Sequence, residues 1–147
     1  MEFITFLVSA KKETYAAGKE SKKLTDGFEE LSYEEGEFFY RDRWKGGNKF
    51  GGEEIVQKDS KIIWLMNYYG RIISDKANSE LIYKFLREAM GLVEEGQPFR
   101  GPPRYINGDF EYITEIEGEL FSFKGTEKIF FKGEEVYRLY FHGGEVK

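Results

Sequence analysis

The chain has 147 residues, 40% apolar and 33% charged, and a net charge of −5 at pH 7. That length suits one domain spanning 1–147 with a single core. Without cysteine, disulfides, thiolate nucleophiles and Cys-based zinc sites are excluded, and one histidine, His142, excludes a His-rich metal cluster. No metal site and no cofactor are therefore expected. The acidic balance argues against general nucleic-acid binding, which sums many Lys and Arg contacts to phosphate; the basic run Lys19 to Lys23 reads as a solvated loop. The aromatic share of 18% is high, and these rings either fill a core or line a groove for a flat or apolar ligand.

The opening stretch, Met1 to Val8, is acidic at its start and too short to span a bilayer. A cytoplasmic protein is expected, with no membrane partner. Abundant Glu and Lys with little Gln matches the composition of heat-stable proteins and suggests a thermophilic source.

Residues 2–12 place Phe3, Phe6, Leu7 and Ala10 at helical spacing, with Lys11 and Lys12 opposing the helix dipole in the last turn. From Glu13 to Glu35 the pattern dissolves into a long loop. Strands are expected at Glu37 to Trp44, Lys49 to Gln57 and Lys61 to Arg71, with Gly46-Gly47-Asn48 turning the first hairpin. Within the second strand, Gly51-Gly52 suggests a bulge or a close backbone approach.

Asp75 to Ser79 supplies a helix start, and Leu81, Ile82, Phe85, Leu86, Ala89 and Met90 form an amphipathic stripe ending at Gly91. Glu94 to Tyr105 carries all three prolines and reads as an irregular crossing. Strands then follow at Asp109 to Glu117, Leu120 to Phe123, Glu127 to Lys132 and Glu135 to His142, with Gly118, Gly125, Gly133 and Gly143-Gly144 at the turns. The expected fold is α+β: a predominantly antiparallel sheet of six to seven strands with two helices.

The second half can be laid over the first. Gly36, Phe38 and Tyr40 match Gly108, Phe110 and Tyr112, and Phe50, Gly52 and Glu54 match Phe123, Gly125 and Glu127 after one inserted residue. Trp64, Met66, Tyr68 and Gly70 then fall on Tyr137, Leu139, Phe141 and Gly143. The pattern is either a duplicated helix-plus-three-strand unit, 1–72 and 73–147 with pseudo-twofold symmetry, or two meanders alike because hairpins use the same residues.

Alternation on the central strands puts Trp64, Met66 and Tyr68 with Tyr137, Leu139 and Phe141 toward the core. The opposite set, Leu65, Asn67 and Tyr69 with Arg138, Tyr140 and His142, mixes polar and apolar groups that either satisfy one another or await a ligand. Glu54 and Glu127 lie in phase with apolar neighbours. Each either pairs with a cation (Arg41, Arg71, Arg100 or Arg138), has a raised pKa suited to proton transfer, or is flipped outward into solvent by a glycine bulge.

Tyr15-Ala16, Phe50-Gly51-Gly52-Glu53-Glu54, Met66-Asn67-Tyr68-Tyr69-Gly70, Phe99-Arg100-Gly101-Pro102 and Tyr140-Phe141-His142-Gly143-Gly144 together resemble an uncharacterised prokaryotic domain-of-unknown-function family. Members of that family stand alone or are fused behind an N-terminal helix-turn-helix. The resemblance implies a complete single-domain member without the DNA-binding extension, with a ligand-sensing or partner-binding role and no assigned chemistry.

Three functional readings follow. The first is a binding module with an aromatic-lined cleft between the halves, whose ligand-binding candidates are Tyr15, Asn67, Tyr69, Arg100, Tyr140 and His142, with Trp44 and Tyr68 in the lining. The second is a small hydrolase- or isomerase-type enzyme with catalytic candidates Glu54, Glu127 and His142. The third is a protein-interaction module. The expected partners are a small-molecule ligand and a second copy of the chain.

Overall fold

A computed structural model describes all of Met1–Lys147. The elements run α1 (Phe3–Glu13), β1 (Lys22–Lys23), β2 (Glu29–Glu35), β3 (Phe38–Gly46), β4 (Lys49–Lys58), β5 (Lys61–Ile72), α2 (Ser79–Met90), β6 (Arg104–Asn107), β7 (Phe110–Glu119), β8 (Ser122–Phe131) and β9 (Glu134–Glu145). The strands form one antiparallel sheet in the order β1-β2-β3-β4-β5-β9-β8-β7-β6. The fold is α+β with two helices, but the sheet has nine strands where six to seven were expected.

The added strands are at the edges, and the reason is physical. β2 pairs residue for residue with β3, from Glu29 opposite Trp44 to Glu35 opposite Phe38. Of its seven residues only Leu31 is buried, and beyond it lies only the two-residue β1, so a strand next to the edge reads as loop because solvent lets it stay polar. β6, four residues long and directly after Pro103, is the other edge. Conversely, the expected break between Leu120–Phe123 and Glu127–Lys132 does not exist. β8 runs through Gly125, where a Cβ would strike the Phe141 ring and the Glu115 carbonyl. That glycine serves close approach and not a turn.

The two meanders, β2 to β5 and β6 to β9, meet where β5 pairs with β9 around Tyr69 opposite Tyr140. Several details recur at matching places. The β4–β5 turn holds Asp59 and Ser60 at positive φ, and the β8–β9 turn holds Lys132 and Gly133 there. A register shift falls between Val56 and Gln57 in one half and between Ile129 and Phe130 in the other. The shift is therefore not at Gly51-Gly52. Gly52 instead lets the Tyr68 hydroxyl cross close to the backbone, 2.5 Å from where its Cβ would stand.

Both helices and the crossing segment lie on one face of the sheet. α1 packs Phe3 and Phe6 on Phe38, Trp64 and Tyr33. α2 is capped by Asn78, whose Oδ1 accepts from the Glu80 and Leu81 backbone N–H groups. It buries Ile82, Phe85, Leu86, Ala89 and Met90, while Leu81 is exposed and belongs to the outer side. The inner face of β5 and β9 carries Trp64, Met66, Tyr68, Tyr137, Leu139 and Phe141, all buried. Removing these large side chains from water is the main stabilising contribution, at about 1.5–3 kcal/mol for each fully buried one. The other face of the sheet has no layer over it.

Candidate functional site

Strand alternation carries Asp42 inward with Phe38 and Tyr40 on β3, and Glu54 inward with Val56 on β4. Glu54 is 1% exposed and Glu127 0%. The outward, solvated reading of both carboxylates is thus corrected: no bulge intervenes at Gly51-Gly52 or Gly125, so the phase of each strand holds through its glycines.

Each glutamate has a cation. Lys11, from the last turn of α1, reaches Glu54 at 2.6 Å and also donates to the Phe99 carbonyl at 2.6 Å. Burial pushes the Lys11 pKa down, opposed by the Glu54 charge. Arg100 grips Glu127 through Nε at 3.0 Å and Nη2 at 2.9 Å, and the Tyr112 and Tyr137 hydroxyls donate to the same carboxylate at 2.5 and 2.8 Å. Four donors on one buried carboxylate is a fully satisfied centre.

The segment Phe99 to Pro102 holds these two centres together. Its Phe99 carbonyl is bound by Lys11, its Arg100 by Glu127, and the Gly101 N–H donates to the Tyr112 hydroxyl at 2.9 Å. A Cβ on Gly101 would come within 2.8 Å of the Tyr112 ring. Only glycine allows the segment to sit this low, which explains the Phe-Arg-Gly-Pro sequence in local terms.

Beside these centres is a cavity of about 270 Å³. Its floor is Asp42, Tyr68 and Arg100. Trp44, Gly46, Gly47 and Phe50 of the β3–β4 hairpin form one wall, Tyr83, Leu86, Arg87 and Met90 of α2 another, and Tyr15 follows α1. The Tyr68 hydroxyl donates to Asp42 Oδ1 at 2.5 Å, and the Arg100 guanidinium lies 5.4 Å from the Tyr68 ring centre. Burial first, and then the neighbouring Glu54 charge, push the Asp42 pKa up to about 7. Burial likewise pushes Tyr15 and Tyr83 up to about 12.

The sequence-derived candidates divide by face. Tyr15 and Arg100 line the cavity, together with Trp44 and Tyr68. Asn67, Tyr69, Tyr140 and His142 are on the uncovered outer face, Tyr69 49% and Tyr140 47% exposed, and Arg138 there bonds Glu135 and the Tyr140 hydroxyl. The structure therefore has no single cleft that holds both sets. It also separates the catalytic candidates, since Glu54 and Glu127 are sealed in ion pairs on the inner face and His142 is exposed on the other.

Asp42, Lys11, Arg87 and Tyr83 were missed. Asp42 did carry a signal, a carboxylate in phase with Phe38, Tyr40 and Trp44, the same reasoning that drew notice to Glu54. No group of three or more His, Cys, Asp or Glu side chains is placed to hold a metal ion, and no helix is long and apolar enough to cross a membrane.

A family profile described as a domain of unknown function, DUF5680, matches residues 42–146. The chain belongs to the DUF5680 family. The matched stretch of this DUF5680 protein takes in Asp42, Glu54, Arg100 and Glu127, whereas Lys11 and Tyr15 precede it. No curated protein and no solved structure matches the chain.

Proposed function

We propose that this DUF5680 protein binds a small organic ligand in the cavity between α2 and the β3–β5 part of the sheet. The observation that carries the reading is an aromatic-walled space of about 270 Å³ with buried charged groups at its floor. Its size is near the lower end of ligand pockets, which run from roughly 300 to 1,000 Å³, and suits a ligand of one or two rings. Elsewhere in the protein the buried charges are closed in by partners, as Glu127 is. A few polar groups at the floor of an aromatic-walled space are what fix the orientation of a small ligand. The implied relation to domains fused behind a helix-turn-helix agrees with a ligand-sensing role.

The recurring turns, register shifts, glycines and glutamates further support a duplicated unit, in which one copy kept a filled interior and the other acquired the cavity.

The test is a thermal-shift screen with aromatic and heterocyclic metabolites. Binders should raise the melting temperature, as any ligand selective for the native state does. Trp44→Ala should abolish the shift and Tyr69→Ala should leave it intact. The reverse pattern would move the site to the outer face and end this reading.

A further inference from the structure

The chemistry of the ligand can be read from the three charged side chains that line the cavity, Asp42, Arg87 and Arg100. Arg100 is 5% exposed and uses Nε and Nη2 on Glu127. Its Nη1 has no protein acceptor and is not among the sealed unpartnered side-chain atoms, so that edge of the guanidinium opens on the cavity. Arg87, in the last turn of α2, takes part in none of the ion pairs of the protein. Glu54 is held by Lys11, Glu127 by Arg100, and the neighbouring Glu88 accepts from Tyr105 and Asn107. Arg87 and Arg100 line the same cavity, together with Tyr15.

We propose that the cavity takes a flat organic acid, its ring between the aromatic walls and its carboxylate on Arg87 and the open Nη1 edge of Arg100. This inference rests on the reading that the cavity binds a small ligand. The planar forks of Arg match a carboxylate, and charge-assisted bonds of this kind are about twice as strong as neutral ones. A cationic ligand would set like charge against two guanidinium groups. A neutral ring would leave the Nη1 of the buried Arg100 covered without an acceptor, which costs more than a missing contact.

Asp42 is compatible with an acid because it can take a proton. It faces Glu54 from β4, Tyr68 from β5, Lys11 from α1 and Arg100 from the crossing segment, with Tyr40 beside it on β3. Burial holds both tyrosines well above their ordinary range, so they remain neutral. A bound carboxylate adds negative charge next to Asp42 and favours its protonated form, which then donates a hydrogen bond to the ligand. Binding is accordingly coupled to proton uptake, and affinity for an acid that stays ionised falls as pH rises through about 7.

The experiment is calorimetric titration of the full chain with benzoate, nicotinate and indole-3-acetate, against benzamide, nicotinamide and indole-3-acetamide, and against benzylamine and tryptamine. At least one acid should bind about ten-fold or more tightly than its amide. Arg87→Ala should remove that preference, Arg87→Lys should keep part of it, and Asp42→Asn should flatten the pH dependence. The melting temperature of each variant reports whether it is folded. Amides or amines binding as well as the acids would overturn the acid assignment while leaving the binding reading in place. Failure of all the compounds, and of the broader metabolite screen, would overturn both.

Discussion

The two halves of the sheet place the same kind of group at the same depth and then treat it differently. Tyr40, Gly52 and Glu54 in the first half correspond to Tyr112, Gly125 and Glu127 in the second, and both glutamates are enclosed with one cation each. In the second half the positions corresponding to Asp42 and Tyr68 are Thr114 and Phe141, and Phe99 packs on Phe123 at 4.6 Å and on Phe141 at 6.5 Å, filling the interior. In the first half a carboxylate and a hydroxyl replace them, and the space above stays open as the cavity. The comparison separates structural charge from charge that is available to a ligand. The Glu127 centre is closed by four donors, and the Asp42 floor departs from it at the few positions that open the cavity.

The largest expected effect breaks the structural centre. Glu127→Ala strips Arg100 of its counter-charge and two tyrosine hydroxyls of their acceptor, and should cost about 3–5 kcal/mol in urea denaturation at neutral pH. A loss near zero would mean that the centre is not what holds the second half.

Glu54→Gln should cost less, because Lys11 can shed its proton when left unpaired and Arg100 cannot. Its stability relative to the parent should recover as pH rises toward the ordinary lysine range, with no such recovery for Glu127→Gln. Parallel pH profiles for the two variants would erase this difference between the halves.

Smaller again is the titration of Asp42. Its pKa in the folded state, about 7, is above its ordinary value of 3.8, so burial penalises the charged form. The associated stability is complete below about 4 and is lost as pH rises through 7. Warming experiments should therefore show the parent melting lower at pH 8 than at pH 6. Asp42→Asn should show a weaker dependence over that interval and melt above the parent at pH 8. A parent profile that rises from pH 6 to 8 would contradict the assignment. The smallest effects belong to Tyr69→Ala, Tyr140→Ala and His142→Ala, each expected within about 0.5 kcal/mol of the parent by urea denaturation, as exposed positions without a special role usually are.

Much of this fold was legible from alternation. Trp64, Met66 and Tyr68 against Asn67 and Tyr69 mark the faces of β5 because side-chain direction has period two. The polar strand Glu29–Glu35 near the sheet edge was hidden because only Leu31 needs burial, and Gly125 was read as a turn although it provides room for Phe141. Of the residues that line the cavity, Tyr15, Trp44, Tyr68 and Arg100 were legible, whereas Asn67, Tyr140 and His142, polar groups on apolar strands, lie on the opposite face, which neither helix covers. The ion-pair partners show the deeper limit. Lys11 has the spacing of a helix-dipole cation, and only the docking of α1 over β4 brings it to Glu54.

The central claim, that the functional face is the helix-covered one, is tested most directly by backbone amide NMR of the full chain titrated with a binder from the screen. The account predicts shifts confined to Asp42, Trp44, Gly46, Gly47, Tyr83, Arg87 and Arg100, around the cavity. Shifts centred on Asn67, Tyr69, Tyr140 and His142, with the cavity residues unmoved, would contradict it.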